Sequence, residues 1–492
     1  MPTNNTIITT PSSPVTYFGM IKAKDQIRSF GVLDSDRRKH FYVLGKTGTG
    51  KSTMLHNMCL QDIYHGKGVC FIDPHGDSVE YILDKIPLHR KKDLIYFNPA
   101  DTEFPIGLNV MQSEDGEQDF LICSSLMSVF KRIWAGMWSS RMEYILNNTI
   151  LALLEQKDAT LIGVIRILSD NAYRDEVVKH CKNPMVKNFW MKEFKSFHEK
   201  YRTEAIAPIM NKIGQFFSSS LTRNILGQTH SGFSIKDIMD NKKILLVNLS
   251  KGRLGEDNSN LIGSLIITKI QLAALSRANS FLEDRSEFNL YVDEFQNFTT
   301  DSFTSILSEA RKFGLNLVLA HQYIDQLNET GNENILNAIF GNVGSIIVFQ
   351  VGSKDAENIL PEFEPVFQRQ HLINLDNTEV AVRLSINGRT SQPFLAKTLP
   401  PLFDSFGGKM DYFVDYSRKQ YGGNRAEVEK SIKDYLEEST DFITQPHLQN
   451  ASQSNPQNLQ SSNNQSRKYN SNLGTTLKVS GQGRSIKLPS GK

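Results

Sequence analysis

The chain has 492 residues, with 55 Lys and Arg against 53 Asp and Glu and a formal net charge of +2. That near-balance excludes a uniformly basic nucleic-acid coat, so a polyanionic partner must be met by a local patch. A hydrophobic share of 39% excludes wholesale disorder, and roughly 100–200 residues per domain allows about two to four domains.

Residues 1–14 read as a flexible lead, without charge or an apolar stretch, and so as neither a secretory signal nor a transit peptide. A first strand is expected over Val15–Lys22 and a second over His40–Leu44. A helix over Gly50–Tyr64, a strand Gly68–Asp73, a short helix Ser78–Lys85 and a strand Leu94–Asn98 follow. Strands alternating with helices at this spacing predict βαβ units and a mostly parallel sheet. The rhythm changes near Met111. From Glu114 to Met239 apolar residues recur at helical spacing, as in Ile145, Ile150, Leu151 and Leu154, and an inserted all-α domain is expected. The α/β pattern resumes with strands Lys243–Leu249, Phe288–Glu294, Asn316–Gln322 and Ser345–Val351. Helices are expected at Asn260–Ser276, Phe303–Phe313 and Ile335–Phe340. Strands Glu379–Ile386 and Ser391–Lys397 flank Asn387-Gly388, a strong hairpin signal. A charged helix Arg425–Glu437 comes next. Residues 445–470, of which 17 of 26 are Asn, Gln or Ser, read as a disordered tail.

The longest apolar run, Ser345–Val351, is of strand length, far from the ~20 residues of a membrane helix. Cys59, Cys70, Cys123 and Cys181 form no C-x-x-C pair and are expected as reduced, buried thiols of a cytosolic chain.

Gly45-Lys46-Thr47-Gly48-Thr49-Gly50-Lys51-Ser52, followed by Thr53, fits G-x-x-x-x-G-K-[ST] between an expected strand and helix. Glycines let successive N–H groups curl round phosphate oxygens, and the helix N-terminus adds its positive dipole end. Lys51 would reach the β- and γ-phosphates of ATP, and the Ser52 hydroxyl would coordinate Mg²⁺. The partner acid is expected at the end of Phe288-Asn-Leu-Tyr-Val-Asp293-Glu294: Asp293 for Mg²⁺, and Glu294 to polarise the attacking water. An acidic strand end capping a helix reads the same way. Asp73 ends an earlier strand on the edge where ligands bind; it and His75 suit phosphate, Mg²⁺ or a neighbouring subunit, and equally suit turn chemistry. Gln322 ends a further strand, as a γ-phosphate sensor or a surface cap. Arg311 lies just before that strand, as an arginine finger or a solvated helical residue, with Arg383 and Arg389 as weaker finger candidates.

Taken together, GKTGTGKST, FIDPHGD, VNLSKGRLGE, YVDEFQNF and ARKFGLNLVLAHQ resemble the conjugative coupling ATPases of type IV secretion, within the hexameric DNA-pumping ATPases that include the secretion assembly ATPases. The likeness covers about residues 40–397. It implies a RecA-like P-loop core in a homohexameric ring, ATP between neighbours and DNA in the pore. It also implies Walker roles for Lys51, Ser52, Asp293 and Glu294, a sensor at Gln322, and an Arg311 that reaches the neighbour's nucleotide. The insert matches the family's all-α domain, which engages DNA or cargo protein. Coupling proteins usually carry N-terminal membrane helices, and no such run is present here. A cytoplasmic location is therefore expected, peripheral at the inner membrane face if a separate anchor exists. Relaxase or channel proteins are the further partners implied.

The expected organisation is a lead (1–14), a first core part (15–112), the all-α insert (113–240), a second core part (241–412), a helical segment (413–444) and the tail (445–492). The alternatives are an assembly or export ATPase acting on proteins, and a non-hydrolysing scaffold that tethers DNA or a relaxase. Lys179–Arg202 carries seven basic residues against two acids with Phe189, Trp190, Phe194, Phe197 and Tyr201 interleaved. The favoured reading is an aromatic core face with solvated lysines; stacking on bases is the other. The tail holds six basic residues and no acid, leaving residues 1–444 at −4.

Overall fold

In the computed structural model, which describes residues 15–23, 25–112, 119–328 and 334–437, the expected strands converge in one sheet. The strands are β1 (Val15–Ala23), β2 (Gln26–Leu33), β3 (Phe41–Leu44), β4 (Gly68–Asp73), β5 (Leu94–Phe97), β6 (Ile244–Asn248) and β7 (Phe288–Val292). They continue with β8 (Leu315–His321), β9 (Ser345–Val348), β10 (Glu379–Arg383), β11 (Ser385–Ile386), β12 (Arg389–Thr390) and β13 (Phe394–Thr398). Among the described residues, eleven strands run in the order β2-β1-β13-β10-β9-β3-β8-β7-β4-β6-β5. The seven from β9 to β5 are parallel, and β2, β1, β13 and β10 extend the sheet antiparallel.

The apolar runs follow from burial on both faces. Along β3, Phe41 and Val43 enter one core while Tyr42 and Leu44 enter the other. In β7, Tyr291 points opposite to Leu290 and Val292 in the same way. Between β5 and β6 the described chain is helical, from Asp119–Ile133 to Ile235–Asp240, and its apolar side chains join the core on one sheet face. Phe189, Trp190 and Phe194 lie in that core, with the lysines Lys182, Lys192, Lys195 and Lys200 exposed. These three aromatics therefore pack inside the protein, while Phe197 is half-buried and Tyr201 exposed.

The structure differs from expectation at several elements. β2 was not foreseen: it is an edge strand whose first four residues are exposed and mostly polar. The helix Glu256–Ser276 starts four residues early, just past Gly255, with Glu256 and Asp257 in its positive first turn. It is the one helix among the described residues long and apolar enough to cross a membrane, and 78% of its apolar window is buried within the fold. A helix Met410–Tyr421 precedes the expected Arg425–Glu437, with Phe413 fully buried. The hairpin forms as β11-β12, with Asn387 and Gly388 both at positive φ. Its N–H groups donate to the buried Asp36 carboxylate at 2.8 and 2.7 Å. The four cysteines are free and buried. The basic tail lies outside the described residues.

A buried polar cluster ties the antiparallel edge to the P-loop helix Lys51–Tyr64. Arg37 donates to Asp62 at 2.5 Å, to Thr16 at 3.0 Å and to the Tyr291 hydroxyl at 2.7 Å. That hydroxyl in turn donates to Asp62 at 2.5 Å. Burial disfavours charge on Asp62, but Arg37 and Lys67 outweigh it and hold the carboxyl below its usual range. Removing Asp62 would leave the buried Arg37 charge without its carboxylate, a loss on the order of 3–5 kcal/mol.

Candidate active site

The parallel strands end on one edge, and the chemistry-bearing residues sit there. Gly45 follows β3, packed so closely on Phe349 that a Cβ would come 2.4 Å from it. Gly48 and Gly50 take φ of 79° and 113°, and the helix starts at Lys51. Lys46, Thr47 and Gly48 are exposed, Thr49 is buried with its hydroxyl on the Lys46 carbonyl at 2.8 Å, and Ser52 is exposed at the helix start beside Thr53. The result is a loop of N–H groups above a helix N-terminus, a ready anion site. Lys51 bends back over it, donating to the Gly45 and Lys46 carbonyls at 2.5 and 2.9 Å. Burial lowers its pKa, opposed by Asp293 and Glu294.

Two strands away, Asp293 follows β7 and is buried. Burial first, then the Asp73 and Glu294 charges, push its carboxyl up to about 7, with Lys51 opposing. A cluster of three acids against one lysine favours a cation. The hard oxygen donors, Asp293 carboxylate and Ser52 hydroxyl, suit a divalent ion that keeps part of its water shell.

Glu294 is held unusually. Its backbone is left-handed, φ 49° and ψ 46°, a conformation that costs a non-glycine residue about 1–2 kcal/mol. Gln322, one residue past β8, donates to its Oε1, and Gln296 donates to Oε2 at 2.9 Å. Burial raises the Glu294 pKa, but His75, Gln322 and Gln296 reverse this and leave it below the usual carboxylate range. Behind Gln322, the Tyr42 hydroxyl and His321 Nε2 are hydrogen-bonded in the core. Burial pushes His321 down to about 3, so a neutral ring backs the strand tip.

Asp73 lies on the same edge, its carboxylate occupied by the N–H groups of His75 (2.8 Å), Ser78 (2.8 Å) and Val79 (3.3 Å). It thus shapes the turn and caps the next helix while adding negative charge beside Asp293. Arg311 is not in this cluster. It is exposed, on the turn Ala310–Phe313 that enters β8 from the other end. At about 3.3 Å per residue, β8 separates it from the Gln322 tip by roughly 20 Å. Arg383 is paired with Glu362, and Arg389 is exposed on the hairpin. Gln296 was missed from sequence; its one signal is an amide two residues after the acid pair.

A family model described as the type IV secretion-system coupling protein DNA-binding domain matches residues 28–363. The type 4 coupling protein DotL of Legionella pneumophila is 18% identical over 378 residues, covering 65% of this chain and 48% of that protein. The chain thus spans about half the length of the curated relative it matches. Among solved structures, the bacterial conjugative coupling protein TrwB superposes with a TM-score of 0.55 at 16% identity, covering 77% of this chain and 88% of TrwB. TrwB has also been solved with ADP and Mg²⁺. VirB4 of Thermoanaerobacter pseudethanolicus gives a TM-score of 0.53 at 14% identity, covering 80% and 98%. These likenesses identify the fold as the RecA-like P-loop type.

Proposed function

This chain belongs to the type IV secretion-system coupling protein family, and from that premise we propose that it is an ATP-hydrolysing DNA translocase that works as a homohexameric ring. The observation that carries the proposal is the meeting of Lys51, Asp293, Glu294 and Gln322 on one sheet edge beside the anion-binding loop. The 45–53 loop binds the ATP phosphates through its N–H groups, and Lys51 leaves the Gly45 and Lys46 carbonyls for the β- and γ-phosphates. Ser52 and Asp293 hold Mg²⁺, which when bound neutralises phosphate charge. Glu294 orients and polarises the water that attacks the γ-phosphorus. Gln322 senses the γ-phosphate and passes its loss to the loop after β8. Arg311, on the far edge of its own subunit, serves the nucleotide of a neighbour.

The family model's description as a DNA-binding domain supports DNA as the cargo. We assign the helical segment between β5 and β6 as a cargo-facing insert, and relaxase and channel proteins as partners at the inner membrane face. A sequence-independent grip on phosphates predicts ATP turnover that DNA stimulates several-fold, and a stimulation that fades steeply between 50 and 200 mM salt. Turnover that ignores DNA at every salt concentration and rises with a secreted protein would move the assignment to protein export.

A further inference from the structure

Three side chains from three loops converge on the Glu294 carboxylate. Gln296 donates to Oε2. Gln322 and His75 share Oε1: the first donates a hydrogen bond, and the second has Nε2 at 3.7 Å. The loop that carries His75 is fixed at its backbone. The His75 N–H donates to Asp73 at 2.8 Å, and the preceding Pro74 carbonyl accepts from the Lys251 N–H at 2.9 Å. The ring itself is 57% exposed, so it can turn without disturbing the core. Glu294, Asp73 and Asp293 all face it and draw positive charge to it, Glu294 most strongly.

The sharing of Oε1 matters once the cycle runs. In the cycle proposed here, Gln322 turns toward the γ-phosphate and gives up its hydrogen bond to Glu294. When it turns away, Oε1 loses its amide donor while Gln296 still holds Oε2. A carboxylate held at one oxygen can swing about that contact, and a misplacement of 1 Å at a reacting centre slows chemistry strongly. The group already poised at Oε1 is the His75 ring. We propose that His75 is a positioning residue that takes over Oε1 of Glu294 when Gln322 leaves it, keeping the carboxylate aimed at the attacking water. The proposal rests on the roles given above to Glu294 and Gln322.

Steady-state ATP turnover of the full chain tests it with His75→Ala, His75→Gln and Lys51→Ala. His75→Ala is expected to lower kcat about tenfold, with KM for ATP within about twofold of wild type and thermal melting unchanged. His75→Gln, which restores an N–H donor of similar reach, is expected to recover most of kcat. A His75→Ala kcat within twofold of wild type overturns the inference. So does a loss that His75→Gln shares in full, or one that comes with a lowered melting temperature. The hydrolysis reading fails separately, if wild type does not turn over ATP or Lys51→Ala turns it over equally well.

Discussion

Glu294→Gln is expected to reduce ATP turnover by about two to four orders of magnitude while nucleotide binding and ring assembly persist. The substitution preserves size at a site where the side chain meets Gln296, Gln322 and His75, so packing changes little. It removes the negative charge that polarises water. It also leaves one oxygen in place of the two that now accept from separate amides. Turnover measured beside binding of a fluorescent ATP analogue separates the outcomes. Lost turnover with retained affinity identifies a hydrolysing enzyme. A nucleotide-dependent scaffold would instead keep its biological function in Glu294→Gln and lose it in Lys51→Ala.

Arg311→Ala is expected to lower turnover about 10³-fold in the assembled ring, with ATP affinity little changed. Its position dictates the form of the test. Arg311 sits at the end of the sheet opposite the anion-binding loop, where its charge helps burial push the nearby His40 down to about 4. It cannot serve the nucleotide of its own subunit. Mixing Arg311→Ala with Lys51→Ala protein should therefore recover part of the activity, because some interfaces pair an intact Lys51 with an intact Arg311 from the neighbour. Activity that stays at the level of the separate variants would show that Arg311 is not such a residue.

The parallel core was legible because strands buried on both faces write themselves as apolar runs. The runs HFYVL, GVCFID and FNLYV end beside a glycine, in an acid and beside an acid, so the strand and its chemistry appear together; KILLVNL is legible from its apolar run alone. β2 was hidden because an exposed edge strand, QIRSFGVL, needs no clean alternation. The helix Met410–Tyr421 was hidden because it buries only one narrow face, led by Phe413, beneath a charged exterior. At the site, the nine residues of the 45–53 loop are local and could be read directly. The hold on Glu294 could not, because His75, Gln296 and Gln322 come from three loops and meet only through the strand order β8-β7-β4. The left-handed backbone at Glu294 leaves no mark in sequence either, since glutamate is not a residue that favours it.

The central claim, that ATP hydrolysis moves this chain along DNA, is tested most directly by displacement of streptavidin from biotin-ended single- and double-stranded DNA. Wild-type protein should strip streptavidin from at least one of the two in an ATP-dependent reaction that Glu294→Gln abolishes. ATP turnover without displacement from either strand form would contradict it.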